Sequence, residues 1–233
     1  MSYFDFNDHI DPSKVNTIFE LGSRDLIDAV HLLNTYKSAK IVSFECNPDC
    51  IQACHNLLTN IDAETKSRIT FIEKAVSIDD GPVTFYPFDL SKYDNMGSSS
   101  MFKVDFSQRN PTDPDYNRDN PQKEITVEGT RLDTFMKTNG FDNIDLLCID
   151  LQGYELNAIK SLGENIHKVK YIITECSVSS TYVGGATFSE LNAYLNRRNI
   201  VYVASNKFGK NYPDLNLRGF SEFDALFINK SML

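Results

Sequence analysis

The sequence predicts an α/β protein: a doubly wound, mostly parallel sheet with helices on both faces and an antiparallel last strand. Three observations carry this expectation. Short β-rich runs alternate with segments of helical periodicity along most of the 233 residues, the pattern of strand–helix–strand crossovers. The strongest β runs, 144–150 (IDLLCID) and 171–176 (YIITEC), are apolar almost throughout, as in strands buried on both faces. The runs 200–205 (IVYVAS) and 222–229 (EFDALFIN) follow one another with no helical segment between them, which suits a final strand running antiparallel.

Each element has its own local reason. TIFEL (17–21) is a first strand that stops at Gly22. Residues 25–36 place Leu26, Ile27, Val30 and Leu33 at helical spacing. KIVSFE (40–45) is the second strand, and Pro48 suits the start of a helix over 48–60, because its fixed φ and missing N–H cost nothing in a first turn. RITFIEKAV (68–76) reads as a single third strand, and GPVTFYPF (81–88) is β-like after the turn pair Gly81-Pro82. The rhythm breaks over 89–123, which holds Pro111, Pro114, Pro121 and the tripeptide Ser98-Ser99-Ser100. So long an irregular stretch inside a compact domain reads as a lid or acceptor loop. Pattern returns with ITVEGT (125–130), a helix over 131–139, the strand 144–150, a short helix over 154–162, the strand 171–176, a helix over 187–199 and the closing pair. Residues 1–233 are expected to form one domain.

Composition narrows the function classes. Hydrophobic residues make up 41% and charged residues 24%, as in soluble globular proteins. The net charge of −9 argues against nucleic acid, whose binding draws on a basic surface. No apolar run approaches the roughly 20 residues of a membrane span, and MSYFDFNDHIDPSK has neither the basic start nor the apolar core of a secretion signal. The five cysteines lack a disulfide framework. Together these features point to a reducing, cytoplasmic setting. Cys46, Cys50 and Cys54, with His55 beside them, match none of the usual zinc spacings; Cys50 and Cys54 read as one helix face that packs.

In a doubly wound sheet, ligands bind beyond the carboxyl ends of the strands. Those ends read Glu20-Leu21-Gly22-Ser23-Arg24-Asp25, Glu45-Cys46-Asn47-Pro48, Lys74-Ala75-Val76-Ser77, Asp150 and Glu175, and four of the five carry an acid. Gly22 allows a close backbone approach to a ligand. The stretch GSRDLI (22–27) contains neither GxGxxG nor a phosphate loop, so nicotinamide dinucleotides and nucleoside triphosphates fit poorly. Glu45, near 20 residues further on, can accept both hydroxyls of a ribose. An acid there without a phosphate cradle favours S-adenosylmethionine over NAD.

The set FELGSRD (19–25), VSFECNPD (42–49), EKAVS (73–77), GSSSM (97–101), TRLDTF (130–135), LLCIDLQGYE (146–155) and ITEC (173–176) resembles the FkbM-type S-adenosylmethionine-dependent methyltransferases. The pieces cover most of the chain in order, so the match is specific as a set. The resemblance implies a seven-stranded Rossmann-like methyltransferase sheet. It also implies a cofactor site formed by Glu20, Gly22, Ser23, Arg24, Asp25, Glu45, Cys46, Ala75, Val76, Ser99 and Asp150. Two departures stand out: GSRDL replaces a loop in which many members carry a second glycine, and Cys148 stands where a lysine is common.

The implied reaction is methyl transfer to a hydroxyl of a sugar, a glycan or a related natural product. A hydroxyl of high pKa needs a proton acceptor or a cation that lowers its pKa. Asp150, Glu155 and Glu175 are the candidate catalytic acids, with Asp150 and Glu175 also able to hold Mg²⁺ or another divalent ion. Gln152 is placed to meet an acceptor hydroxyl, and Gly153 to turn the chain. Acids near a helix start also serve as caps, the competing reading for Asp150 and Glu155. None of His9, His31, His55 and His167 lies at a strand end. The acceptor is expected under 89–123 and beside 206–221, with Tyr93, Phe102, Tyr116, Phe208 and Tyr212 as aromatic contacts. The alternatives are an NAD-linked oxidoreductase on a similar sheet, or a catalytically silent binding module.

Overall fold

A computed structural model describes residues 3–93, 95–105, 121–215 and 222–233. Strands β1 (Thr17–Leu21), β2 (Lys40–Phe44), β3 (Ile69–Ile72), β7 (Ile144–Ile149), β8 (Val169–Ser177), β9 (Ile200–Ser205) and β10 (Glu222–Asn229) form one seven-stranded sheet in the order β3-β2-β1-β7-β8-β10-β9. The pairs β3–β2, β2–β1, β1–β7 and β7–β8 are parallel, and β10 runs antiparallel to both its neighbours, β8 and β9. The expected mostly parallel sheet with an antiparallel last strand is therefore present.

Alternation explains why the strands are apolar throughout. Successive side chains point to opposite faces, and both faces are covered. Phe19, Leu21, Val42, Phe44, Leu147 and Ile149 pack under helices α4 (Leu132–Asn139), α5 (Glu155–Lys160) and α6 (Phe188–Asn196). Ile18, Ile41, Leu146, Cys148 and Ile173 pack on the other side against α1 (Ile27–Thr35), Cys54 of α2 (Pro48–Asn60), and Tyr3, Phe6 and Ile10 of the N-terminal segment. Local chemistry sets the helix ends. Asn47 caps α2 by accepting from the Asp49 amide at 3.2 Å, ahead of Pro48. Thr187 and Glu190 close a reciprocal capping box on α6. Gly140, at φ 72°, ends α4.

The expectation of one strand over 68–76 is corrected. The Lys74 N–H donates to the Ile72 carbonyl at 3.0 Å, and this tight turn breaks the run. Ile69–Ile72 stays in the main sheet, whereas Ala75–Val76 becomes β4 of a second sheet. There β4 lies parallel to β6 (Ile125–Thr130), and β6 pairs antiparallel with β5 (Gly81–Phe85) in the order β4-β6-β5. The two β-like runs either side of the irregular segment are thus partners. A short helix α3 (Ala63–Ser67), capped by Asp62, precedes β3. Among the described residues, no helix is long and apolar enough to cross a membrane.

One acid lies inside this framework. Glu20 on β1 is 1% exposed and faces the α1 side, where the Ser43 hydroxyl donates to it at 2.8 Å. Burial pushes its carboxyl up from 4.5 to about 8. The folded state therefore holds a proton that the unfolded state releases near pH 4.5. That contribution is complete below pH 4.5 and is lost as pH rises through about 8. Glu20→Gln, which keeps a neutral side chain, should flatten the fall in stability across this window by up to about 1.4 kcal/mol per pH unit. Urea unfolding at pH 5 and pH 8 checks this. An unchanged pH slope would show that Glu20 is ionised in the folded protein.

Candidate active site

The order of the sheet reverses between β1 and β7, and a cleft opens above their carboxyl ends. It is lined by Gly22, Ser23, Arg24, Glu45, Cys46, Asn47, Ala75, Val76, Ser99 and Asp150, with Tyr3, Asp28, Lys74, Phe85, Met96 and Gly97 completing the walls. Gly22 is the narrowest point. It adopts φ +86°, and a Cβ built on it would lie 1.9 Å from the Asp150 carbonyl oxygen. The amides of Gly22 and Ser23 both donate to the Phe44 carbonyl, at 3.0 and 3.1 Å, and the Asp150 amide donates to Leu21 at 2.9 Å. Three neighbouring strand ends are thereby tied together.

Glu45 is the organising acid of the wall. Its Oε2 accepts the Arg24 amide at 2.8 Å, and its Oε1 accepts the amides of Cys46 and Asn47 at 2.7 and 2.8 Å. Burial raises its carboxyl, and the three amides pull it back down. A carboxylate offers about four lone-pair directions, so one on Oε2 remains among the described residues. The expectation that Glu45 takes both ribose hydroxyls is thus narrowed to one.

Two residues assigned to the cofactor site from sequence are not on the cleft wall. Glu20 points into the α1 side of the sheet, as above. Asp25 accepts the Ile27 amide at 3.1 Å and pairs with the Arg24 guanidinium at 3.2 Å; it fixes the start of α1. Tyr3 and Asp28 were not anticipated in the cleft, while Asn47 and Lys74, which stand in the strand-end stretches, line it without having been assigned to the cofactor.

The serine tripeptide joins the irregular segment to the cleft. The Ser98 carbonyl lies 2.8 Å from the Tyr182 hydroxyl. The Ser99 hydroxyl accepts from the Asn47 side chain at 3.2 Å and from the Phe88 amide at 3.1 Å. The Ser100 hydroxyl donates to the Gln152 carbonyl at 2.8 Å. Val104 bridges antiparallel to Tyr182, so residues 96–105 close over the end of β7.

Below them sit the acids. Asp150 lines the cleft, while Glu155 and Glu175 line an adjoining recess with Gly153, Cys176, Tyr182 and Glu222. The Gln152 amide stands between Asp150 and Glu175 and donates to both, at 2.8 and 2.9 Å. Glu155 instead accepts the amides of Leu151 and Gly153, each at 3.0 Å; its carboxylate holds the loop rather than facing the cleft. Burial raises all three carboxyls: Asp150 to about 6, Glu155 to about 7, and Glu175 well above its usual range, with the Asp150 charge adding to the last.

The expected divalent ion does not fit this arrangement. The Gln152 N–H groups occupy the side on which each acid would face a shared cation, and no group of three metal-ligating side chains converges among the described residues. The cysteines are all free and buried; the Cys50 and Cys54 thiols lie against the carbonyls of Met96 and Arg24 at 3.9 and 3.5 Å, while His55 pairs with Glu73 at 2.8 Å on the surface. The aromatic expectations divide. Phe102 packs on Tyr154 at 5.0 Å beside the acids, and Tyr93 packs on Phe88 at 4.6 Å. Phe208 packs on Phe223, and Tyr212 on Phe188, at 5.2 and 5.3 Å; both complete the α6 side rather than an acceptor surface. Tyr116, Pro111, Pro114 and the end of the 206–221 loop lie outside the described residues.

Comparison with known proteins supplies a frame for this geometry. Residues 26–202 match the methyltransferase FkbM domain. The chain is 29% identical over 171 residues to the 2-O-methyltransferase NoeI of Sinorhizobium fredii, covering 72% of this chain and 65% of that protein. Among solved structures it resembles methyltransferase FkbM from Methylobacillus flagellatus, with a TM-score of 0.55 at 14% identity over 97% of this chain and 47% of that one. It also resembles M. capricolum TrmK in complex with S-adenosylhomocysteine, with a TM-score of 0.50 at 10% identity over 97% and 68%. Both structural likenesses bear on the fold alone. The chain spans just under two thirds of NoeI and about half of the Methylobacillus chain.

Gly22→Ala tests the junction of the strands. The added methyl meets backbone rather than a flexible side chain, and the left-handed φ adds strain. A loss of about 3 kcal/mol or more is expected by urea unfolding. An unchanged midpoint would show that the β1 and β7 ends have slack.

Proposed function

Because the chain belongs to the FkbM methyltransferase domain family, we propose that it is an S-adenosylmethionine-dependent O-methyltransferase acting on a hydroxyl of a sugar or glycan. The observation that carries this reading is the pairing of a cleft at the carboxyl ends of the strands with a carboxylate of raised pKa, Asp150, at its wall. NoeI, a 2-O-methyltransferase, supports the choice of oxygen as acceptor, and the FkbM methyltransferase domain match supports a methyl-donating cofactor. Family membership weighs against the oxidoreductase alternative.

The residues present suit such a cofactor. Gly22 leaves room where a side chain would intrude, and the remaining lone pair of Glu45 suits a ribose hydroxyl. Ala75, Val76, Phe85 and Cys46 offer an apolar wall for a base, and Arg24, Lys74, Asp28 and Asp150 offer charges for an amino-acid moiety of mixed sign. When bound, S-adenosylmethionine would supply an electrophilic methyl group, its methyl–sulfur bond breaking as the acceptor oxygen bonds to that carbon and S-adenosylhomocysteine leaving with the electron pair.

The chain's own part is to orient the acceptor and take its proton. As the acceptor oxygen forms its new bond to carbon, its proton passes to Asp150. Asp150, with its carboxyl near 6, is ionised at neutral pH and ready to accept it. Burial and the neighbouring Asp150 charge raise the Glu175 carboxyl well above its usual range, which disfavours two bare charges side by side. Phe102 and Tyr154 give the neighbouring surface an aromatic character suited to a sugar face. Alignment by such a surface contributes several kcal/mol in favourable cases.

Two measurements test the proposal. Calorimetric titration with S-adenosylhomocysteine should show saturable binding, weakened roughly ten- to a hundredfold by Glu45→Ala, the value of a charge-assisted hydrogen bond. No binding to the folded wild-type chain, or equal affinity in the variant, would overturn the cofactor assignment. With a hydroxylated acceptor in hand, the rate should fall on the acid side with an apparent midpoint near 6, since protonated Asp150 cannot accept a proton. Asp150→Asn should lower kcat by a hundredfold or more; a variant with full kcat would remove Asp150 from the chemistry.

A further inference from the structure

The loop after β7 contains a residue whose geometry has a specific purpose. Gln152 is one of few non-glycine residues with a left-handed backbone, at φ 53°, a conformation that persists where the surroundings enforce it. Three contacts enforce it here. Its Nε2 donates to Asp150 Oδ1 at 2.8 Å and to Glu175 Oε2 at 2.9 Å, and its Oε1 lies 2.8 Å from the Tyr182 hydroxyl. Tyr182 reaches it because Gly153 has no side chain: a Cβ there would come within 3.1 Å of the Tyr182 ring. The Ser100 hydroxyl fixes the Gln152 carbonyl from the other side.

The amide has two orientations, and the acids respond differently to them. With Nε2 toward the acids, both carboxyls are met by donors. With Oε1 toward the acids, at least one carboxyl must carry a proton between itself and the amide. The Tyr182 hydroxyl selects the first orientation by donating to Oε1, and its single proton is shared with the Ser98 carbonyl, also 2.8 Å away. Since Ser98 belongs to the segment that closes over the cleft, closure and the state of the acids meet at one hydroxyl.

We propose that Gln152 is a positioning residue that holds Asp150 as the proton acceptor beside Glu175, with Tyr182 setting the orientation of its amide. The inference rests on the reading of Asp150 as the proton acceptor of a methyl transfer, and it assigns no substrate contact to Gln152. Other groups bear on the pair as well. Glu155 on α5, Glu222 and Asp224 on β10, and Cys176 on β8 add negative charge or burial, Tyr182 faces it from the 178–187 loop, and Arg24 lies across the cleft. None of these but Tyr182 touches the amide that bridges the two acids.

The test needs neither the acceptor nor turnover. Carboxyl-carbon NMR of the full chain, titrated from about pH 4 to 9, follows Asp150 and Glu175 directly, with Asp150→Asn for assignment. In Gln152→Met, which keeps the length but removes both donors, the Asp150 midpoint should rise by at least one pH unit, a tenfold gain in proton affinity. In Tyr182→Phe the amide is free to turn, and a smaller rise, about two- to threefold in proton affinity, should follow. Curves that superimpose on wild type in folded Gln152→Met would overturn the proposal; if that variant does not fold, an unchanged Tyr182→Phe curve overturns it instead. S-adenosylhomocysteine titration of the wild type runs alongside. Failure to bind would defeat the functional reading on that measurement alone, while the carboxyl curves still decide the role of the amide.

Discussion

The open end of the sheet depends on one close approach, that of Gly22 to the carbonyl of Asp150. A parallel sheet leaves its strand ends as separate loops, and nothing in sheet pairing alone fixes their relative height. Here the β1 loop is pressed against the end of β7 at a distance that no side chain would permit. The same loop is tied to the end of β2 through the Phe44 carbonyl and through Glu45. The position of Asp150 relative to the cleft is thereby a property of backbone, the least adjustable part of the molecule. A site that needs two reactants aligned gains most from support of that kind.

The second constraint is the burial of acid. Glu20, Glu45, Glu155 and Asp224 are all less than a tenth exposed, and Asp150 and Glu175 sit in the same region with raised carboxyls. Among the described residues, no buried lysine or arginine stands with them to balance the charge. Two solutions are used. Glu45 and Glu155 are turned to backbone amides, which supply donors without adding a competing charge. Glu20 and Glu175 are held where the protonated form is favoured. Asp150 falls between, with the Gln152 amide as donor and a rise to about 6, and of these raised acids it is the one that both lines the cleft and keeps its carboxylate off the backbone amides.

Much of this was legible because strands buried on both faces tolerate few polar residues. Gly22, Glu45 and Asp150 stand out in the sequence as breaks at the ends of apolar runs, and all three line the cleft. Glu20 and Asp25 carried the same signal without the same outcome. Alternation turns Glu20 to the opposite face from a neighbour one residue away, and a short acid just before a helix finds the helix amides first. The division of residues 68–76 between two sheets was not legible, since a tight turn between two β-rich pieces leaves no mark when neither glycine nor proline forms it. Tyr182 and the orientation of Gln152 were beyond reach for another reason. Their contacts join residues some 30 positions apart across an irregular loop, and no periodicity records such a contact.

The GSRDL loop places two residues other than glycine in left-handed backbone conformations. Leu26 adopts φ 64° and Arg24 φ 52°, backbone conformations that glycine enters without strain. A left-handed leucine costs roughly 1–2 kcal/mol. Its side chain, however, is fully buried beside Leu32, Leu33 and Cys54, and burying a leucine contributes about 1.5–3 kcal/mol. The balance therefore favours leucine at this position despite the strain. Arg24 has a different compensation, since its stem lies within 3.2 Å of the point where Gly97 would carry a Cβ. The absence of a side chain on Gly97 leaves room for that stem, so the path of the loop is held by packing on both sides.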